Sequence, residues 1–480
     1  MESLKDKTAK GLFWGGMNNG VQQLVGMVFG IVLARLLSPG DYGMIAMISV
    51  FSLVAIAIQN SGFTVALANL KEPRSEDYNS VFWFNIIVGL ALYTILFFCA
   101  PLIARFYHTP ELVPLCRYAF INILLASLGT AQSAYLFKNL MVKQYAKAGM
   151  TAVVVSCVTG TILAFNGFGY WSLATQALVF IAVSISMIWH YSKWRPTFNI
   201  DLRPAMGMFR FSCKILATTI VTHVNNNILN ILLGHYFTKH EAGSYNQAYQ
   251  WNFKCFSLIQ GMVNQVAQPV LVDLADDKGR QMNAFRKMVR FTAFISFPLL
   301  FGFSMVSKEF IVIAITEKWL ESARLLQLLC ISGAFMPLCT LLSNMIVSKG
   351  RSDMYLYSTL GLAVCQIVLL VLTSRFGIHT MVTGFTAINI LWMMVWHRLT
   401  ARLTGYGIVP FMLDTLPFAL AAAAVMVTVY FATAMVTNIC QLLVARVAMA
   451  VVMYYVVMKV AKVKMLEECV TFIKDRLGKR

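Results

Sequence analysis

Charge is what this sequence has least of. Only 12% of its 480 residues are Asp, Glu, Lys or Arg, about half the ~25% of an ordinary soluble domain. Acids are scarcer still, at 20 against 39 basic residues. With 59% hydrophobic residues and a mean hydropathy of +0.69, the chain falls outside the disordered, disulfide-scaffold and ordinary cytosolic-enzyme classes. Its ten cysteines have no CxxC or zinc-type spacing. Cys99, Cys157, Cys330 and Cys365 fall inside apolar runs, where buried free thiols are expected. No GxxxxGK[ST] string provides a phosphate-cradling loop, and HExxH is missing. No Ser–His–Asp or paired-carboxylate spacing is present, and the GxGxxG-like string Gly167, Gly169, Ser172 sits in a tight turn. No catalytic residue, metal or cofactor is therefore expected. The net charge of +19 could suit nucleic acid. The basic residues, however, sit in short clusters between apolar runs, which is an orientation signal in a membrane protein.

Long apolar runs are what the sequence does have. A helix needs roughly 20 apolar residues to cross about 30 Å of hydrocarbon. Runs at 11–35, 41–68, 78–104, 112–137, 145–166 and 170–192 are followed by 208–235, 244–272, 288–313, 321–348, 354–374 and 378–398, then 411–434 and 438–459. They predict fourteen spans in an all-α polytopic membrane protein. The runs 41–68 and 244–272 are the most polar. No N-terminal apolar region ends in a small-residue cleavage site, so the first span is expected to act as an uncleaved anchor. With the N-terminus in the cytoplasm, 28 Lys and Arg residues fall in inside segments and six fall outside: Arg35, Arg105, Lys239, Lys308, Lys318 and Arg375. This asymmetry predicts an N-in, C-in topology.

A weak repeat recurs at an offset of 200. Ile31 to Gly43 and Ile231 to Gly243 each close a helix with a basic residue, turn through Ser38 or Thr238, place Asp41 or Glu241, then reach Gly43 or Gly243. An even number of spans per unit gives both halves one orientation, about an axis along the membrane normal. The expected domains are an N-lobe at 1–200, a C-lobe at 201–405, and a terminal helix pair with a basic tail at 406–480. Two such lobes would enclose a cavity.

Polar side chains at membrane depth need a partner or water. At 100° per residue, Gly15, Asn19, Gln22, Gln23, Gly26 and Gly30 share one side of the first span. Thr219, His223, Asn226 and Asn230 form a stripe on the seventh. Gln247, Gln250, Lys254, Ser257, Gly261, Gln265 and Gln268 do so on the eighth, and the second adds Gln59 and Asn60. Such stripes line a hydrated cavity; amide pairing between helices, or a GxxxG face at Gly26 and Gly30, is the alternative. Lys254 and His223 lie near mid-depth on these stripes and suit an anion such as phosphate. Lys214, Arg117, Arg324 and Arg446 are expected to snorkel toward the bilayer surfaces. No Asp or Glu lies well inside a span, Asp414 being near an end, which argues against a cation-coupled drug antiporter. The short connections argue against a membrane glycan polymerase or ligase.

The stretch Ala34–Arg35–Leu36–Leu37–Ser38–Pro39–Gly40–Asp41–Tyr42–Gly43 resembles the signature of Wzx-type polysaccharide and O-antigen flippases of the multidrug/oligosaccharidyl-lipid/polysaccharide (MOP) exporter superfamily. Lys10–Gly11–Leu12–Phe13–Trp14 and Glu241–Ala242–Gly243–Ser244–Tyr245 resemble that family too. The resemblance implies a MATE-like fold of two six-helix lobes and two further helices in the bacterial inner membrane. It also implies a flippase that moves undecaprenyl-diphosphate-linked oligosaccharide units from the cytoplasmic to the periplasmic leaflet by alternating access. Surface polysaccharide assembly would follow, with lipid-linked oligosaccharide, membrane lipids and polymerase machinery as partners. A peptidoglycan-precursor flippase would carry more arginines in the N-lobe cavity. Arg35 and Asp41 match the signature at the outer end of their helices, as gate or capped-turn residues.

Overall fold

The computed structural model describes residues 4–60, 63, 66, 67, 70, 72–468 and 471; within these, the side chains of 4–12, 60, 209–215, 217 and 218 are not described. Asn60, Lys10, Arg210 and Lys214 as side chains, most of 61–69, and the basic tail beyond 471 thus lie outside the described residues. All described secondary structure is helical. Internal contacts divide the chain into two compact units, Met1–Gly243 and Ser244–Arg480.

In the first unit, α1 (Leu4–Leu36) ends where Ser38 precedes Pro39. A residue before proline is driven out of the helical region, and proline, with φ already fixed, suits a first helical turn. There α2 (Pro39–Asn60) begins. α3 (Ser75–Phe106) starts with Asp77 accepting from the Arg74 amide at 2.8 Å. The fourth predicted span is broken into α4 (Leu112–Ala119), α5 (Ile121–Ser127) and α6 (Thr130–Lys138), with a 41° bend ahead of α6. α7 (Val142–Phe165) and α8 (Tyr170–Tyr191) form a hairpin. Its turn needs φ of +80° at Gly167 and +53° at Gly169, a region glycine enters without steric cost. α9 (Arg203–Tyr236) then packs on α2 and α3.

Two apolar clusters hold this unit. Met44, Met47, Tyr107, Leu115, Phe120 and Ile123 join α2 to α3, α4 and α5. Phe63, Tyr78, Phe82 and Trp194 form an aromatic knot. The connection before α9 is tied to α3: Trp83 Nε1 donates to the Thr197 carbonyl at 2.7 Å, and the Thr197 amide donates to Asn79 Oδ1 at 2.9 Å.

The second unit holds most of α10 (Lys239–Asp273) and is built around α11 (Lys278–Ile315), 38 residues long. A single-turn helix, Glu317–Trp319, leads into α12 (Leu320–Gly333) and α13 (Met336–Ser348). Pro337, in the first turn of α13, cannot donate a backbone hydrogen bond. The carbonyl of Ala334 at this break accepts from Ser296 Oγ at 2.7 Å. α14 (Ser352–Thr373) and α15 (Ile378–Thr404) are joined by a buried amide pair, Gln366 Nε2 to Asn389 Oδ1 at 3.1 Å. α16 (Ile408–Ala432) and α17 (Ile439–Val460) complete the unit, both against α11.

Helix is present over all fourteen predicted segments. Among the described residues, eleven helical stretches are long and apolar enough to cross a membrane, or twelve with the bent α4–α6 segment. α9 and α10 are not among them. They have 34 and 35 residues, ample length at about 1.5 Å per residue, but their amide stripes lower their apolarity.

Candidate functional site

The site is built from two helical corners that repeat the same chemistry. α1 ends at Leu36 and α2 begins at Pro39; α9 ends at Tyr236 and α10 begins at Lys239, an offset of 200 at both boundaries. In the first corner Asp41 Oδ2 accepts from the Ser38 amide at 2.9 Å and from Ser38 Oγ at 2.6 Å, while the Asp41 amide reaches Ser38 Oγ at 3.3 Å. In the second, Glu241 Oε2 accepts from the Thr238 amide at 3.0 Å and from Thr238 Oγ1 at 2.9 Å, while the Glu241 amide reaches Thr238 Oγ1 at 3.3 Å. Both are capping boxes, which satisfy the amides a helix N-terminus leaves without intrahelical partners.

The corners cross at glycine. A Cβ on Gly43 would stand 1.8 Å from the Lys239 carbonyl oxygen, and one on Gly243 1.7 Å from the Pro39 carbonyl oxygen. No side chain fits at either position. His235 Nδ1 lies 2.6 Å from the Phe106 carbonyl oxygen, and Lys239 pairs with Glu111 at 3.8 Å. Asp41 also lies against the α7–α8 turn, its Oδ1 2.8 Å from where a Gly169 Cβ would be. Asp41 is thus a capping residue in a tight corner. Arg35 is exposed and is not without a partner.

The polar stripe of α1 divides into two faces. Asn19 and Gln23 are exposed, and nothing lies within 4 Å of a Cβ on Gly15, Gly26 or Gly30. Among the described residues no helix packs into Gly26 and Gly30, so they form no GxxxG contact. Gln22 is turned to the other side: it donates to Asn18 Oδ1 at 2.9 Å, and this pair lies against Gly149 of α7. Gln59, expected on the same stripe system, is fully buried and donates to the Ile123 carbonyl at 3.1 Å. Gln59 is thus an interhelical amide, whereas Gln22 bonds within α1 and packs on α7.

On α9, His223 is half-buried and its carbonyl accepts from Asn227 Nδ2 at 2.9 Å. Asn226 is exposed, Thr219 is half-buried with a polar partner, and Asn230 is buried 3.4 Å from Asn227 Oδ1. On α10, Gln247 is buried, whereas Gln250, Gln265 and Gln268 are exposed and a Cβ on Gly261 would meet nothing. Lys254 lies on this open face, its ammonium 4.4 Å from the centre of the buried Trp251 ring. That cation–π contact fixes the ammonium. No carboxylate among the described residues is within ion-pair distance of it.

Two buried carboxylates lie elsewhere, and each is held by arginine. Glu309 of α11 and Arg446 of α17 pair at 2.9 Å, both 6% exposed; Arg446 Nε also donates to Thr433 Oγ1 at 3.2 Å, and its guanidinium stacks on Tyr430. Arg446 therefore does not snorkel: Glu309, an acid near the C-terminal end of α11, supplies its partner. Arg324 is exposed and pairs loosely with Glu321 at 3.8 Å, and Arg117 stacks on Phe97. Asp414 of α16 is bound by Arg286, Arg290 and Tyr406. Burial, and then the hydrogen bond to Asp414, pushes the Tyr406 phenol well above its ordinary range, so Tyr406 remains a donor. Among the described residues no cluster of three or more His, Cys, Asp or Glu side chains could hold a metal ion.

Residues 32–324 match the family described as polysaccharide biosynthesis protein. The teichuronic acid biosynthesis protein TuaB of Bacillus subtilis (strain 168) is 27% identical over 370 residues, 74% of each chain. The lipopolysaccharide biosynthesis protein WzxC of Escherichia coli is 25% identical over 359 residues, covering 73% of this chain and 72% of WzxC. The succinoglycan biosynthesis transport protein ExoT of Rhizobium meliloti (strain 1021) is 24% identical over 388 residues, covering 81% and 76%. Among solved structures, the lipid II flippase MurJ in an inward closed conformation aligns with a TM-score of 0.76 at 14% identity, over 93% of this chain and 97% of that one. An inward-facing multidrug resistance MATE family transporter aligns with a TM-score of 0.66 at 15% identity, over 80% and 94%. The fold is accordingly the all-α, polytopic fold of those transporters, and the chain belongs to the polysaccharide biosynthesis protein family.

Proposed function

We propose that this protein is a flippase that carries undecaprenyl-diphosphate-linked oligosaccharide units from the cytoplasmic to the periplasmic leaflet of a bacterial inner membrane. The carrying observation is Lys254: a cation held over Trp251 on the amide-bearing face of α10, with no carboxylate among the described residues to neutralise it. An unneutralised cation at membrane depth is costly unless an anion visits it, and a diphosphate supplies one. The exposed amides Asn19, Gln23, Asn226, Gln250 and Gln265 offer both donors and acceptors to sugar hydroxyls. His223 of α9 is a further group suited to phosphate, and Gln22, Thr219, Asn230 and Gln247 contribute to the polar faces of their own helices.

The repeated corners support a pseudo-symmetric transporter of fourteen spans, with lobes at 1–200 and 201–405, a terminal pair at 406–480, and both chain ends in the cytoplasm. In an alternating-access cycle the Gly43 and Gly243 crossing is the contact that parts when the path opens at that end. The polyprenyl tail stays in lipid, guided by an apolar cleft of about 520 Å³ between α11 and α17 that includes Phe294, Pro298, Gly302, Val447 and Val451. Polysaccharide polymerase machinery receives the delivered unit. A cation-coupled antiporter needs a carboxylate free to bind its ion. Glu309 and Asp414 are both engaged by arginine, which favours glycan cargo.

Flipping of a labelled undecaprenyl-diphosphate oligosaccharide in reconstituted vesicles tests this reading. Lys254→Ala should slow flipping at least ~10-fold, the loss of one charge-assisted contact, with folded yield unchanged, and Lys254→Arg should restore part of it. Undiminished flipping by Lys254→Ala removes Lys254 from the path, and no flipping by the wild type removes the function.

A further inference from the structure

Arg286 and Arg290 stand one turn apart on α11 and converge on a single acid of α16. Arg286 grips Asp414 through Nε to Oδ2 at 2.7 Å and Nη2 to Oδ1 at 3.1 Å; Arg290 adds Nε to Oδ1 at 2.6 Å. Tyr406 donates its hydroxyl to Oδ2 at 2.7 Å. Both oxygens of this carboxylate, itself 2% exposed, are thereby saturated. One arginine would neutralise Asp414, so the second leaves a unit of positive charge uncompensated. The two guanidinium side chains remain 33% and 42% exposed. Among the described residues Arg290 is bound to side-chain oxygen through Nε alone, and Arg286 through Nε and Nη2. No other carboxylate among the described residues pairs with either. Lys287, between them in sequence, is paired with Glu468 at 2.7 Å.

Depth narrows the ligand. A 38-residue helix is about 57 Å long, so about 13 Å of each end extends past a hydrocarbon layer of about 30 Å. Arg286 and Arg290 lie about 12 and 18 Å from the N-terminus of α11, one at the hydrocarbon boundary and the other about 5 Å inside it, from where an arginine side chain snorkels to the lipid phosphates. The outer face of α16, the helix that carries Asp414, has a shallow apolar groove of about 410 Å³ formed by Val409, Met412, Leu413, Leu416, Pro417 and Leu420.

We propose that Arg286 and Arg290 form a preorganised fork for the phosphate of an anionic membrane phospholipid, whose acyl chain lies in the α16 groove. Asp414 and Tyr406 hold the fork in shape. Planar guanidinium edges match phosphate oxygens, and basic pockets between membrane helices near the bilayer surface suit such headgroups. The site is independent of the flippase reading, because it concerns resident lipid and not cargo.

Native mass spectrometry of the full chain, purified from vesicles of phosphatidylcholine with and without phosphatidylglycerol, tests it. The wild type should retain phosphatidylglycerol over phosphatidylcholine and gain thermal stability from it. Arg290→Gln should lose at least ~5-fold in retention with an unchanged melting temperature in pure phosphatidylcholine. Arg290→Lys, which keeps the charge without the planar fork, should lose part. If Arg290→Gln fails to fold, Leu416→Trp, which fills the groove, should lower retention instead. Equal retention of the two lipids by the wild type, or full retention by Arg290→Lys, overturns the proposal. So does stabilisation by inorganic phosphate alone. Preferred retention of undecaprenyl diphosphate over phosphatidylglycerol overturns it too, by assigning the fork to cargo.

Discussion

Glu309 and Arg446 are 137 positions apart and meet as a buried pair at 2.9 Å. Taking both charges out of water costs several kcal/mol per ion, which their attraction and added hydrogen bonds must offset. Thr433 and the Met305 carbonyl supply those bonds to Arg446, whereas Glu309 Oε2 has none. Removing one partner strands the other: Arg446→Ala or Glu309→Ala should each destabilise the protein by about 3–5 kcal/mol, whereas Glu309→Leu with Arg446→Leu should come close to wild type. Thermal unfolding in detergent checks this, and additive single-mutant losses in the double variant would refute a coupled pair. Nothing in the sequence marks the two as partners, because helical periodicity reports faces within one segment and not contacts between distant ones. Gln22 shows a finer limit. It stands next to Gln23 in sequence, and the 100° between them places one amide against α7 and leaves the other exposed. A stripe read from spacing alone merged the two.

At the scale of helices, the α1–α2 and α9–α10 corners were legible because capping chemistry is local. Ser38 with Asp41, and Thr238 with Glu241, lie three positions apart, and each pair closes a reciprocal box. What the spacing did not reveal is the purpose of the glycines that follow. Gly43 and Gly243 let two backbones meet at distances no Cβ tolerates. Gly43→Ala should force α2 and α10 apart. Polysaccharide export in a strain lacking the native copy should fall sharply for Gly43→Ala and Gly243→Ala alike, with protein levels maintained. By contrast, Ser38→Ala, which removes only capping bonds worth about 1 kcal/mol, should leave export nearly intact. An export-competent Gly43→Ala would show that the crossing can relax without cost. Breaks inside predicted spans were less visible. Pro337 marks the α12–α13 interruption, but the bend before α6 lies well past Pro114, the proline of its run.

Across the molecule, each apolar run overlaps described helix in chain order, because a membrane chain satisfies its backbone within each segment. The same rule makes exposed amides informative. An apolar side chain such as Leu24 or Val28 on α1 is exposed at no cost in lipid, whereas Asn19, Asn226 and Gln250 are exposed and polar. If they line an aqueous path, cysteines introduced by Asn19→Cys, Asn226→Cys and Gln250→Cys in a background without native cysteines should react rapidly with a membrane-impermeant maleimide applied from the open side. Gln22→Cys and Gln247→Cys provide matched controls: Gln22 lies against α7 and Gln247 is buried, so both should react at least ~10-fold more slowly, as groups packed away from water do. The contrast separates the alternatives that spacing left open. Amides that serve only to join helices would leave all five positions equally slow, and amides facing lipid would resist a charged reagent while remaining open to a membrane-soluble one.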